Sequence, residues 1–192
     1  MTAILIKSFD RCGKDTTATE LCRIIHQYGF TCNIIPLAEP LKKTVAKILN
    51  LDLSLLEKMK NDNIPICLGT EITDTRKAII RVAESLKEVF GRDLFVNTAI
   101  EKSKELNPDF VIIPDARYVI EFDTVRHSSV FDRSYVIEVN SNLKTCGKNG
   151  IRYDLDKIEP DYSVRNLEGS VGVLKQDLEN IFGEILKELG SD

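Results

Sequence analysis

The stretch Ser8-Phe9-Asp10-Arg11-Cys12-Gly13-Lys14-Asp15-Thr16 limits what this chain can fold into more than any other. It follows a short apolar run, Ile4-Leu5-Ile6, and opens a helical pattern with Ala18, Leu21, Ile24, Ile25 and Tyr28 on one side. A strand, a tight loop and a helix that starts with Gly-Lys let backbone N–H groups wrap a polyphosphate, while the Lys reaches the outer phosphates. Two positions depart from the usual loop. Ser8 stands where a first Gly is usual, and Asp15, then Thr16, where Ser or Thr directly follows the Lys. The plain alternative is a strand-to-helix turn that happens to contain Gly-Lys.

A chain of 192 residues suits one α/β domain with a small insertion. Its net charge of −4 offers no basic excess for a nucleic-acid backbone, so nucleic acid is not an expected partner. A small phosphorylated ligand needs only a local group of Arg and Lys. The apolar runs are too short to span a membrane, and the first residues do not read as a signal peptide, so a cytoplasmic location is expected. The five Cys (12, 22, 32, 67 and 146) are odd in number and lack a C-x-x-C pair, which favours reduced thiols over disulfides or a zinc site. His26 and His127 have no metal-ligand spacing.

Strand-like segments recur at 3–7, 31–37, 110–114, 134–139 and 162–164, with helical patterns between most of them. This alternation predicts a three-layer α/β fold with a parallel five-stranded sheet and helices on both faces. Phe110-Val111-Ile112-Ile113 is continuously apolar, as expected of a central strand. A helical insert covers about 39–107, with helices expected over 40–49, 53–60, 74–90 and 92–104. On the third of these, Ile79, Val82, Ala83, Leu86, Val89 and Phe90 share a face. The polar stretch 140–160 reads as a lid, and the final amphipathic helix ends at Gly190.

Five segments together resemble the bacteriophage-type deoxynucleoside monophosphate kinases. Ser-x4-Gly-Lys-Asp-Thr-Thr-Ala, from Ser8, is similar to that family's phosphate loop, which reads Gly-Lys-Asp-Thr. Ala38-Glu39-Pro40-Leu41-Lys42 resembles its Ala-Asp-Pro-Leu-Lys, and Gly91-Arg92-Asp93-Leu94-Phe95-Val96-Asn97 its Gly-Arg-Asp stretch leading to Trp-Val-Asn. Pro114-Asp115-Ala116-Arg117-Tyr118-Val119-Ile120-Glu121 is similar to Ser-Asp-Val-Arg-Phe-x-Asn-Glu, and Asp161–Gly169 to Asp-Tyr-x-Ile-x-Asn-x-Gly. The segments follow the family's order across most of the chain. Ser8, Glu39, Phe95 and Ile120 depart from it. The resemblance implies a P-loop kinase fold, transfer of the ATP γ-phosphoryl group to a deoxynucleoside monophosphate, and often a homodimer.

Phosphoryl transfer depends on positioning and charge neutralisation. Lys14 is the expected contact to the β- and γ-phosphates, and Gly13 lets the backbone come close. Asp15 and Thr16 offer oxygens to Mg²⁺, though Asp15 would serve equally as a helix cap. Arg11 would lie along the phosphates or stack on adenine, or else be a solvated turn residue. Cys12, beside a helix N-terminus, would be a thiolate or a space-filler. Asp115 is placed like a Walker-B acid or a helix cap, and Arg117 and Glu121 would contact phosphate and base or pair with each other. Lys42, Arg76, Arg81 and Arg92 form the expected clamp on the acceptor phosphate, with solvated helix faces as the alternative. Phe95 and Tyr118 would stack on a base or belong to the core. Arg152, with Lys144 and Lys148, would close the lid over the transferring phosphate. The rival functions are a P-loop kinase of another small metabolite, such as a phosphorylated coenzyme precursor, and a nucleotide-binding regulatory module without turnover.

Overall fold

Ile4 of the first strand lies beside Ile112 on one flank and Tyr135 on the other, all running in the same direction. That register is the centre of the computed structural model, which describes residues 1–9, 11–68, 71–142, 154–166 and 171–191. Strands β1 (Thr2–Lys7), β2 (Cys32–Ile34), β5 (Phe110–Ile113), β6 (Arg133–Ser141) and β7 (Tyr162–Asn166) form one parallel sheet in the order β2-β5-β1-β6-β7. The expected five-stranded parallel sheet is therefore present. β1 sits in its middle, so the loop after β1 leaves from the centre of one sheet edge, where ligands of open α/β folds bind.

The sheet is apolar on both faces because helices cover both. On one side Ile4, Ile6, Phe110, Ile112, Tyr135, Ile137 and Val164 pack with Leu21, Ile24 and Ile25 of α1 (Lys14–Gln27) and with Leu174, Leu178, Phe182 and Ile185 of α7 (Val171–Leu189). The alternate residues Ala3, Leu5, Val111, Ile113 and Val136 are buried on the other side. There α6 (Val119–Arg126) packs beside β6 with Phe122 and Val125 buried. This double burial explains why the central strands read as unbroken apolar runs.

The chain divides into two compact units, 1–37 with 96–192, and 38–95. The second holds α2 (Glu39–Ile48), α3 (Leu53–Asn61) and α4 (Thr75–Phe90), which pack on one another through Leu41, Val45, Leu56, Ala78 and Ile79. Its details differ from the helices expected there. The insert is mainly helical, as expected, and β3 (Pro65–Leu68) and β4 (Glu71–Asp74) pair antiparallel between α3 and α4. The apolar face of α4 is buried only near its start, and Val89 and Phe90 stand exposed. The insert was also expected to run to about 107, whereas α5 (Leu94–Leu106) belongs to the first unit from Val96 onward.

Both ends of the range 140–160, expected to form a lid, are built into the fold. Asn140 and Ser141 belong to β6, and a 3-10 turn at Asp154–Lys157 buries Leu155 and leads to buried Ile158. Residues 143–153, with Lys144, Lys148 and Arg152, lie outside the described residues, as does Asp10. No described helix is long and apolar enough to cross a membrane.

Candidate functional site

Backbone shape carries most of the information in the loop after β1. Arg11 has φ 62° and Gly13 φ 92°. The other described non-Gly residues with positive φ are Asn50, Asn63 and Asn107, a residue type that tolerates the left-handed region. Arg does not, at a cost of about 1–2 kcal/mol. Alternating left-handed residues are the geometry from which anion-binding backbone nests are built, and strain of this kind collects at ligand sites. Ser8 is buried and its hydroxyl donates to the Phe9 carbonyl at 2.8 Å, so the residue in place of the usual first Gly is tucked inward.

Lys14 is the first residue of α1, and its side chain is 17% exposed with Nζ 3.5 Å from an Asp15 carboxylate oxygen. Asp15 and Thr16 face solvent. Asp15 makes no side-chain cap to the helix, since the N-cap is Gly13 without a side-chain bond. Thr17, which the sequence did not single out, is fully buried and donates its hydroxyl to the Gly13 carbonyl at 3.0 Å. No cluster of three or more His, Cys, Asp or Glu suited to a metal occurs among the described residues. A Mg²⁺ shared with nucleotide phosphates needs only one or two protein oxygens, and the exposed carboxylate and hydroxyl of Asp15 and Thr16 fit that donor chemistry.

Other predicted residues stand at the same sheet edge. Asp115, just past β5, accepts the Leu37 N–H at 2.7 Å and so ties the ends of two neighbouring strand segments. Glu121 is 6% exposed and its carboxylate accepts the N–H groups of Arg117 (2.7 Å) and Tyr118 (3.2 Å). It caps its own helix, which corrects the expectation that it faces a base or sugar. Arg117 and Tyr118 are half-buried. Lys7, at the end of β1, donates to the Ile158 carbonyl and pairs with Glu138, each at 2.8 Å. Sequence reading passed over it because a Lys at a strand end is ordinarily solvated.

In the second unit Lys42 of α2 reaches Glu57 of α3 at 2.7 Å, and Lys60 pairs with the other oxygen of the same carboxylate. Burial would raise the Glu57 carboxyl, but the hydrogen bonds and charges of Lys42 and Lys60 hold it below the usual range. Burial lowers the Lys60 ammonium, and repulsion from Lys42 and Arg76 adds to that against the pull of Glu57. Two ammonium groups thus share one carboxylate. Lys42 and Lys60 together carry one charge more than the Glu57 carboxylate, and a phosphate would neutralise it. Arg81 and Arg92 are exposed, and Phe95 is buried at 9%, so Phe95 is a core residue and not a stacking surface.

Because the folded Glu57 value is depressed, its stabilisation is complete above the unfolded value of about 4.3 and lost as pH falls through the folded one. Glu57→Gln should therefore lower Tm at neutral pH, and the gap from wild type should close toward about pH 3. Parallel melting curves across that range would show that the carboxylate is not the stabilising charge.

Cys12 is 1% exposed. Cys22, Cys32 and Cys67 are thiols, half-buried, buried and exposed respectively. Burial, with Cys22 alongside, pushes the Cys32 thiol well up. Iodoacetamide without reductant should label Cys67 first, Cys22 slowly, and neither Cys12 nor Cys32. Peptide mapping that finds Cys12 labelled as fast as Cys67 would contradict its burial.

No protein-family model matches the sequence, and neither does any of the curated proteins compared with it. Among solved structures, the chain is similar to dephospho-CoA kinase from Campylobacter jejuni, with 16% identity and a TM-score of 0.47 over 98% of this chain and 99% of that one. Apo McdA from Cyanthece matches with 13% identity and a TM-score of 0.41, over 94% and 93%.

Proposed function

We propose that this chain is an ATP-dependent kinase that phosphorylates a small phosphorylated acceptor, with a deoxynucleoside monophosphate as the acceptor that the sequence resemblance favours. The observation that carries this reading is the loop at 8–16, with left-handed Arg11 and Gly13 leading directly into Lys14 at the start of α1. In such a reaction an acceptor phosphate oxygen attacks the γ-phosphorus, the bridging bond to the β-phosphate breaks, and ADP leaves. Lys14 neutralises charge on the β- and γ-phosphates as it moves toward the leaving oxygen. When bound at Asp15 and Thr16, Mg²⁺ would supply further charge neutralisation at those phosphates. Lys42, Lys60 and Arg76 form the proposed acceptor-phosphate site, with Arg81, Arg92 and Arg152 as further contacts. A homodimer belongs to the same proposal.

A second acceptor class is favoured by one observation. Two residues expected to recognise a base or sugar are otherwise engaged, with Phe95 buried and Glu121 capping α6. The cation cluster suits any phosphate, so a phosphorylated coenzyme precursor remains a rival. ADP release from Mg-ATP, measured with the deoxynucleoside monophosphates, the matching ribonucleotides and phosphorylated coenzyme precursors, separates these readings. The proposal expects release that depends on a deoxynucleotide. ATP binding with no acceptor-dependent release would instead support a regulatory module.

A further inference from the structure

Asn166 ends β7, 154 residues away in sequence from the loop that it touches. Its side-chain amide donates Nδ2–H to the Cys12 carbonyl at 2.9 Å. A Cβ placed on Gly13 would stand 1.9 Å from that same nitrogen. Gly13 is thus required twice, for its φ of 92° and to admit the Asn166 amide.

The consequence follows from the geometry of one peptide plane. The Cys12 carbonyl and the Gly13 N–H belong to the same trans peptide and point in opposite directions. A bond that turns the carbonyl toward β7 therefore turns the Gly13 N–H away from it. A phosphate loop works only when its N–H groups face the anion and its carbonyl oxygens, which repel it, face elsewhere. Without Asn166 the 12–13 peptide would be free to rotate, and one orientation would aim a carbonyl oxygen at the phosphates.

We propose that Asn166 is a positioning residue for the ATP phosphates: its amide fixes the Cys12–Gly13 peptide so that the Gly13 N–H serves the polyphosphate. The inference rests on the kinase reading above and adds a residue to its donor site. It assigns no contact between Asn166 and the nucleotide itself. The local fold supports the role, since Asn166 is held in register by β7 beside β6, where it is paired with Ser141. The clamp thus comes from the sheet and not from the loop.

The test uses the full chain under reducing conditions, with calorimetric titration of Mg-ATP and of magnesium tripolyphosphate. Asn166→Asp keeps the shape but removes the donor and sets a carboxylate against the carbonyl, while Asn166→Ala removes the bond alone. Loss of one such hydrogen bond should weaken both probes by about tenfold in Asn166→Ala, and by more in Asn166→Asp. KM for the acceptor should stay within about twofold of wild type, a separation that general loosening of the fold would not produce. Should Asn166→Ala fail to fold, the near-isosteric Asn166→Asp carries the measurement. Unchanged affinity for Mg-ATP in Asn166→Asp would overturn the proposal. So would weakened Mg-ATP with unchanged tripolyphosphate, which would move the effect of Asn166 from the phosphates to the base. Failure of the wild-type chain to bind either probe would overturn the kinase reading and this inference together. Wild-type binding that survives both substitutions would overturn the inference alone.

Discussion

Lys14→Ala should fold like the parent and lose on the order of 100- to 1,000-fold of its transfer rate. The size follows from removing a preorganised charge at the place where charge moves in the transition state. The fold should hardly notice, because the ion pair of Lys14 is with an Asp15 that is 82% exposed, and such pairs contribute about 0–1 kcal/mol. Position explains the sensitivity. Lys14 directly follows left-handed Gly13 and opens a helix whose first N–H groups have no partners within the helix. Single-turnover ADP release, read beside Tm, separates the two effects. A folded Lys14→Ala protein with near-normal turnover would remove the phosphate-loop reading.

The largest stability loss is expected at Phe182, far from any reacting group. Its ring is fully buried on α7 and meets Tyr28, Phe30 and Phe110 edge to face, with centroids 5.3, 6.3 and 5.3 Å away. Those partners come from the end of α1, the turn before β2, and β5. One ring thus joins the helix that carries Lys14 at its front to the sheet that supports the loop. Phe182→Ala removes the ring and leaves a cavity in a closely packed layer, a change that costs about 3–5 kcal/mol. That is a large share of the roughly 5–15 kcal/mol that holds a domain of this kind folded. Urea unfolding should show the loss as a lower midpoint at unchanged slope, and Phe182→Leu should recover more than half of the lost stability. An unfolding free energy within about 0.5 kcal/mol of wild type would mean that α7 is not a structural wall of this core.

The parallel sheet was legible because its signal is strong: four-residue apolar runs such as Phe110–Ile113 cannot be satisfied by a one-sided sheet. Gly13-Lys14 was legible for a similar reason, since few backbones need that pair after a strand. The β3–β4 hairpin escaped because it is short and lies between long helical patterns. Its signals were the alternation of Ile72 and Thr73 and the Gly69-Thr70 pair, which is weak evidence beside the pull of α4. The face of α4 misled in another way. Its periodicity is real, yet an apolar stripe shows only that a helix has two sides, and here Val89 and Phe90 meet solvent. Polar residues were the least legible. Glu121 resembled a ligand contact by position, but a buried carboxylate beside the N–H groups of Arg117 and Tyr118, just before its helix, turns to them first. Asn166 and Thr17 gave no local sign of their roles, because the loop they hold is defined only once the sheet has assembled.

The central claim is that the backbone at 8–16 cradles a polyphosphate, and amide chemical shifts on titration with Mg-ATP test it most directly. The account predicts that the largest shifts fall on the amides of Cys12, Gly13, Lys14, Asp15 and Thr16. It also predicts that magnesium tripolyphosphate reproduces them and that adenosine does not. Saturable Mg-ATP binding that leaves these five amides in place would contradict it.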